Sequence, residues 1–315
     1  MTHKYDGERS TVFLLSGGAG RIVTAVPALE KYARLNPEDD FKVLIYGWSS
    51  LYWNHPILQE RTFDADQKGI FDLVIKNGNL YQPEPYHRWT YYNQQKSLIE
   101  AFDEEINDTH DHSDLTKPNL YLHSNEKNSA KTYLDNVRKE FKREKLVVLQ
   151  PFGATANVDE NGVFSDPTQR SLNPDTYLKI VQKLPKSWGV LYMGPPQLIH
   201  KDDQNTLVPQ NLDMRSWMGL ISQVDYFVGV DSLGQHMARA FDKDGLVIMG
   251  STFEKNVSYS NHFKFYRNEN AHAKYSPIRI GGMDGQMADR LNDEVMNFSE
   301  KQIDDIVRII KKNIR

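Results

Sequence analysis

Three stretches of this chain place glycines and ionisable side chains where an apolar run stops. The first is Ser16-Gly17-Gly18-Ala19-Gly20, which ends the run from Thr11 to Leu15. A glycine turn entering a helix leaves N–H groups free for an anionic or polar ligand, although a tight turn and nothing more is the plainer reading. The second is Val228-Gly229-Val230-Asp231-Ser232-Leu233-Gly234-Gln235-His236-Met237-Ala238. Here a buried strand ends at an acid, a helix begins, and His236 stands on its first turn. The helix start suits a diphosphate and Asp231 could accept from sugar hydroxyls; alternatively Asp231 or Ser232 simply caps the helix. The third is Gln150-Pro151-Phe152-Gly153-Ala154, followed by Arg170-Ser171-Leu172-Asn173-Pro174. Arg170 precedes a helix that has Pro174 near its first turn, placed to grip a phosphate bidentately or to be an ordinary surface arginine.

Other chemistries fit poorly. A nicotinamide enzyme would need a third glycine where Val23 stands, and an acid where the second strand ends in Tyr46-Gly47. His110 and His112 lie beside Asp111 and Asp114, yet six acids between 101 and 114 read first as a solvated loop or a frayed helix rather than a metal centre. With no cysteine, thiolate zinc sites, iron–sulfur clusters, disulfides and cysteine nucleophiles are excluded. A net charge of −4 excludes a wholly basic nucleic-acid footprint but not a local patch. The first ten residues have no apolar core and no run approaches a membrane span, so a cytoplasmic location is expected.

The elements that must position these residues follow from periodicity. Ile22, Val23, Val26, Leu29, Tyr32 and Ala33 share a helical face behind the first glycine turn. Strands are expected at 41–46 and 71–75, and a helix at 126–141. A second series then alternates strand 145–150, helix 175–184, strand 190–193, helix 215–223, strand 226–230, helix 235–241 and strand 246–249. The last helix carries Ile303, Ile306, Ile309, Ile310 and Ile314 on one side. Two α/β units result, 1–143 and 144–315, each built on a mostly parallel sheet, with ligand expected at the strands' carboxyl ends.

Taken in order, the motifs resemble the heptosyltransferase-like family of nucleotide-sugar glycosyltransferases. Gly20-Arg21-Ile22-Val23-Thr24-Ala25-Val26-Pro27-Ala28-Leu29 is similar to the family's glycine loop and helix, and Pro151-Phe152-Gly153-Ala154 to its strand-end loop. Arg170 with Leu172 and Pro174 resembles its basic residue before a helix start. Asp231 to Ala238, followed by Gly250-Ser251-Thr252, resembles its Asp-Ser-Gly-x-x-His-x-Ala segment. The resemblance implies a GT-B fold, two Rossmann-like domains facing a central cleft. It implies metal-independent transfer with no cofactor beyond a nucleotide-sugar co-substrate, expected to be UDP-linked. Donor binding would fall to Gly153, Arg170, Asp231, Ser232, Leu233, Gly234, His236 and Thr252. The family's general base is an acid at the position of Arg21, and Leu233 stands in place of a glycine. The base is therefore sought elsewhere, with Asp64, Asp66 and His87 as candidates beside Arg21 itself.

The acceptor side would be the first unit, at Gly18, Gly20, Trp48, Trp53, Arg88 and Trp89. Tyr46, Trp48, Tyr52, Trp53 and His55 form one aromatic cluster; Tyr81, Tyr86, His87, Trp89, Tyr91 and Tyr92, with Arg88 and Lys96, form another. Such clusters stack on nucleobases or sugars, or pack a core. Residues 1–143 hold 18 Lys and Arg against 21 Asp and Glu; without the six acids of 101–114 the balance is positive. The Lys-, Asn- and Tyr-rich composition resembles that of tailed-bacteriophage proteins. Hydroxymethylated cytosine in phage DNA is accordingly the expected acceptor, a lipopolysaccharide-core sugar the alternative, and a non-catalytic sugar-nucleotide-binding protein the reading from another class.

Overall fold

The computed structural model describes residues 9–203, 205–268 and 295–314. Most of the first ten residues, judged above for a signal peptide, lie outside that range. Strand β1 (Thr11–Leu15) is almost wholly buried, and Gly17, at a φ of +99°, turns the chain into helix α1 (Ala19–Leu35). That backbone region is open to glycine at no steric cost. Strands β2 (Lys42–Ile45), β3 (Thr62–Asp64) and β4 (Asn79–Tyr81) follow, then helices α2 (Trp89–Tyr92) and α3 (Leu98–Asn107). All four strands run parallel in the order β3-β2-β1-β4.

One expectation fails here, and another holds only in its helical alternative. Residues Phe71–Ile75 are a single π-turn rather than a strand, closed by the Lys76 N–H donating to the Phe71 carbonyl at 2.8 Å. Only Val74 of the five is buried, against Val12 and Leu44, while Phe71 and Leu73 stay exposed. A short apolar run fits a strand or a helical turn equally well. The acidic stretch is largely helix α3, started by a Ser97–Glu100 capping box. Its Asp103 and Glu104 are buried. Lys31 reaches Asp103 at 3.0 Å and Asp114 at 2.8 Å, and His112 Nδ1 lies 2.7 Å from Asp103. Asp103 thus faces the buried Lys31, whereas Asp108, Asp111 and Asp114 beyond the helix are exposed.

The second unit comprises α4 (Ser124–Phe141), β5 (Lys145–Gln150), a small hairpin of β6 (Asn157–Val158) and β7 (Phe164–Ser165), α5 (Pro174–Lys183), β8 (Trp188–Tyr192), β9 (Thr206–Leu207), α6 (Met214–Gln223), β10 (Tyr226–Val230), α7 (Leu233–Ala240), β11 (Gly245–Met249), α8 (Glu254–Val257), β12 (Lys264–Arg267) and α9 (Glu300–Asn313). Its six parallel strands lie in the order β9-β8-β5-β10-β11-β12. Read along the chain this is 3-2-1-4-5-6, the doubly wound order. Strands β10 and β11 are buried at every position, as helices on both faces require. Ile303, Ile306, Val307 and Ile310 of α9 enter the same core.

The chain divides between His123 and Ser124 rather than at the 143/144 boundary expected from sequence. Helix α4 belongs with the second unit because Ala130, Leu134 and Val137 are buried, α4 packs on α6, and Glu126 grips Arg215 at 2.6 Å.

Candidate functional site

In a doubly wound sheet, ligands bind outside the carboxyl ends of the strands where the order reverses. In the second unit that point lies between β5 and β10, and side chains already bridge it. Gln150, last in β5, accepts from the Gly234 N–H at 2.8 Å and donates to Ser232 Oγ at 3.1 Å. Ser232 is the N-cap residue of α7 but makes no capping bond of its own; Gln150 serves an N–H of the first turn instead. That approach explains the glycine one position late in the motif. A Cβ on Gly234 would stand 2.4 Å from Gln150 Oε1 and 2.7 Å from the Phe227 ring.

Asp231, buried, accepts from Gln235 Nε2 at 2.8 Å, and it lies 3.6 Å from the Arg170 guanidinium. Arg170 in turn is steered by its Nε donating to Thr168 Oγ1 at 3.1 Å. His236 is buried beside Tyr259, Nδ1 to phenol oxygen 2.8 Å. Burial, and secondarily the charge of Arg170, push its basicity down to about 3, so the ring is neutral at physiological pH. Burial also holds the Tyr259 phenol protonated.

Asp166, which sequence reading missed, organises the opposite wall. It accepts from Thr155 Oγ1 (2.7 Å), Thr168 Oγ1 (2.6 Å), Ser171 Oγ (2.5 Å) and the N–H groups of Thr168 and Ser171, both at 2.9 Å. Burial alone would make it a weaker acid, but these hydrogen bonds prevail and hold its pKa down at about 2. Ser171 Oγ also receives the Gly153 N–H at 2.9 Å, tying the loop after β5 to the Arg170 segment. Ser251 donates to the Thr168 carbonyl at 3.0 Å, which brings the buried Thr252 loop to the same place. Asp-Pro-Thr was legible as a turn; its role as a hub depends on residues 11 positions away.

The first unit reverses its order between β1 and β4. Arg21 is buried there, donating to the Ser16 carbonyl at 2.9 Å and the Pro83 carbonyl at 2.7 Å. It also pairs with Glu84 at 3.3 Å, with Tyr86 and Phe102 against its guanidinium. Gly18 and Gly20 lie at the same turn, and Trp48 Nε1 donates to the Gly17 carbonyl at 3.1 Å. Asp64 and His87 are not brought together. Asp64 ends β3, three strand spacings from β4, roughly 14 Å. It accepts from the Asp66 N–H at 3.0 Å, while Asp66 and His87 are both exposed. Arg88 is committed to Glu105 and to the Glu104 carbonyl. Of the aromatic clusters, Tyr52 and Tyr91 are core residues, whereas Trp53 and Trp89 are 55% and 57% exposed. Among the described residues no group of three or more His, Asp or Glu is gathered as a metal would require, and no helix is long and apolar enough to cross a membrane.

This architecture, two Rossmann-like units with parallel sheets, is the GT-B glycosyltransferase fold. The chain is similar to the glycosyl transferase family 9 protein of Veillonella parvula, at 8% identity and a TM-score of 0.62 over 82% of this chain and 85% of that one. It is similar also to the ADP-heptose LPS heptosyltransferase II of E. coli, at 10% identity and 0.62 over 96% and 99%. A third likeness is to the iron-containing dodecameric glycosyltransferase TibC of enterotoxigenic E. coli, at 8% and 0.60 over 100% and 78%. No family model and no curated protein matches the sequence.

Proposed function

We propose that the protein transfers a sugar from a nucleoside-diphosphate donor to an acceptor hydroxyl, with the donor held by the second unit and the acceptor by the first. The observation that carries this reading is the convergence of Arg170, Asp231, neutral His236 and the start of α7 at one strand-order reversal. Arg170 and the N–H groups of the α7 start stabilise the charge that develops on the departing diphosphate. Asp231 receives sugar hydroxyls. His236 cannot act as a base at pH 7; in the tautomer in which Tyr259 donates to Nδ1, its Nε2–H is a neutral donor toward donor oxygens. The reaction is metal-independent in this reading, because these groups supply the positive potential.

The acceptor we favour is a saccharide hydroxyl and the donor an ADP-linked heptose, in keeping with the names of the structurally similar proteins. A second reading, transfer to hydroxymethylcytosine in DNA, draws on the exposed Trp53 and Trp89, although Arg88, expected on the acceptor side, is bound up with Glu105. Both are tested by incubating the protein with ADP-heptose or UDP-glucose and either hydroxymethylcytosine DNA or a core oligosaccharide. Mass spectrometry then reads which acceptor gains a heptose or hexose. Nucleotide-sugar binding without turnover on any acceptor leaves a binding protein.

A further inference from the structure

Proton removal is a step that the second unit's site does not provide for. An attacking hydroxyl must lose its proton as it bonds to the anomeric carbon, His236 is too weakly basic to take it, and Asp231 is engaged by Gln235 and Arg170. The first unit has its own strand-order reversal, with the glycine turn after β1 on one side and residues 82–84 after β4 on the other. Among the described residues, Asp64, Glu105 and Glu84 lie on or beside this end of the sheet, with the exposed Asp66 just beyond β3. Asp64 ends the far edge strand β3, two spacings from β1, about 10 Å. Glu105 is used up: Oε2 accepts the Tyr81 hydroxyl at 2.9 Å and the Glu84 N–H at 3.3 Å, and Oε1 holds Arg88. Glu84 is the third. Its Oε2 rests 3.3 Å from Arg21, its Oε1 accepts the Tyr86 N–H at 3.4 Å, and 21% of its side chain is open to solvent.

We propose that Glu84 is the proton acceptor for the hydroxyl bound at the first unit's strand-order reversal, an assignment that rests on the glycosyl-transfer reading above. Arg21 is its positioning residue. The guanidinium is anchored by two backbone carbonyls and two aromatic rings, and from 3.3 Å it holds the Glu84 carboxylate in place. In the step itself the acceptor O–H proton passes to the Glu84 carboxylate and the freed electron pair forms the new bond to the anomeric carbon. The bond from that carbon to the phosphate oxygen breaks, its electrons leaving with the nucleoside diphosphate, and Glu84 later returns the proton to water.

The full-length wild type, E84Q and E84D are compared with ADP-heptose and UDP-glucose, water serving as acceptor. Donor affinity is read by calorimetry, nucleoside-diphosphate release at pH 3 to 9, and folding by thermal denaturation. The expected result is release by E84Q slowed about 10²- to 10⁴-fold with donor Kd within about twofold, loss of the acid limb of the rate profile, and partial rescue by E84D. Wild-type rates in E84Q, with the acid limb intact, overturn the assignment to Glu84 and leave the transfer reading standing. A joint fall of binding, rate and unfolding midpoint in E84Q overturns it too, in favour of a structural role. A wild type that neither binds nor cleaves either donor overturns the transfer reading and Glu84 with it.

Discussion

Arg170 and Asp166 divide the labour of one site by opposite electrostatic means. Arg170 keeps a partly exposed guanidinium 3.6 Å from Asp231, and in the proposed role its charge meets a phosphate. Alanine there removes a charge-assisted contact, typically about 1.5–3 kcal/mol. Nucleotide-sugar affinity should fall by roughly ten- to a hundredfold in calorimetry while the unfolding midpoint holds. Asp166 spends its charge internally. Its carboxyl, held at about 2 in the native protein against an ordinary 3.8, contributes on the order of 2 kcal/mol at neutral pH. That contribution is fully present above pH 4 and lost as pH falls through 2. D166N should therefore be less stable at pH 7 by about that amount and should flatten the stability profile between pH 4 and 2, as urea titrations at several pH values would show. His236 behaves in the same direction over a higher window. Its native basicity is depressed to about 3, so the stability it lends is intact above 6.5 and declines as pH falls toward 3. Its ring resonances should not titrate between pH 8 and 5 in NMR; an inflection near 6.5 would contradict the buried site.

At the scale of elements, the α7 start shows why a motif can shift by one residue and keep its shape. Gln150 comes from a neighbouring strand, and Phe227 from the strand before α7, to fill the space that a side chain at 234 would need. G234A forces one of them aside, which for an overpacked core costs about 1–3 kcal/mol. A lowered unfolding midpoint together with weaker donor binding is expected, and an unchanged midpoint would show that Gln150 moves freely. Helix α3 carries the complementary lesson. Its capping box was present in the sequence as Ser97-x-x-Glu100, but the acids around it suggested solvent. Their partner, Lys31, lies 72 residues from Asp103, and no local pattern announces it.

At the scale of the molecule, donor binding couples to folding by mass action. A nucleotide sugar at a hundred times its Kd should add about 2.7 kcal/mol, a rise of several degrees in the midpoint of the transition that reports the second unit. Chelation should change neither this rise nor turnover; a loss of either on adding EDTA would contradict metal-independent transfer.

By itself the sequence determined the alternation of strands and helices in the second unit, because long buried runs and amphipathic helices encode their own periodicity. Strand 226–230 has the same limits in both. It also placed Arg170, Asp231 and His236 at strand and helix ends. The short elements of the first unit, β3, β4 and the π-turn at 71–75, escaped it because three to five residues carry too little pattern to fix a conformation. Only the tertiary structure decided which partners the polar groups have. Gln150 serves the α7 start in place of Ser232, Arg21 is a buried anchor for Glu84, and Asp166 gathers three hydroxyls. The first two depend on parallel strands bringing together residues far apart in the chain, and pairing across a sheet leaves no trace in local spacing; the Asp166 hub depends on a loop folding back on Thr155.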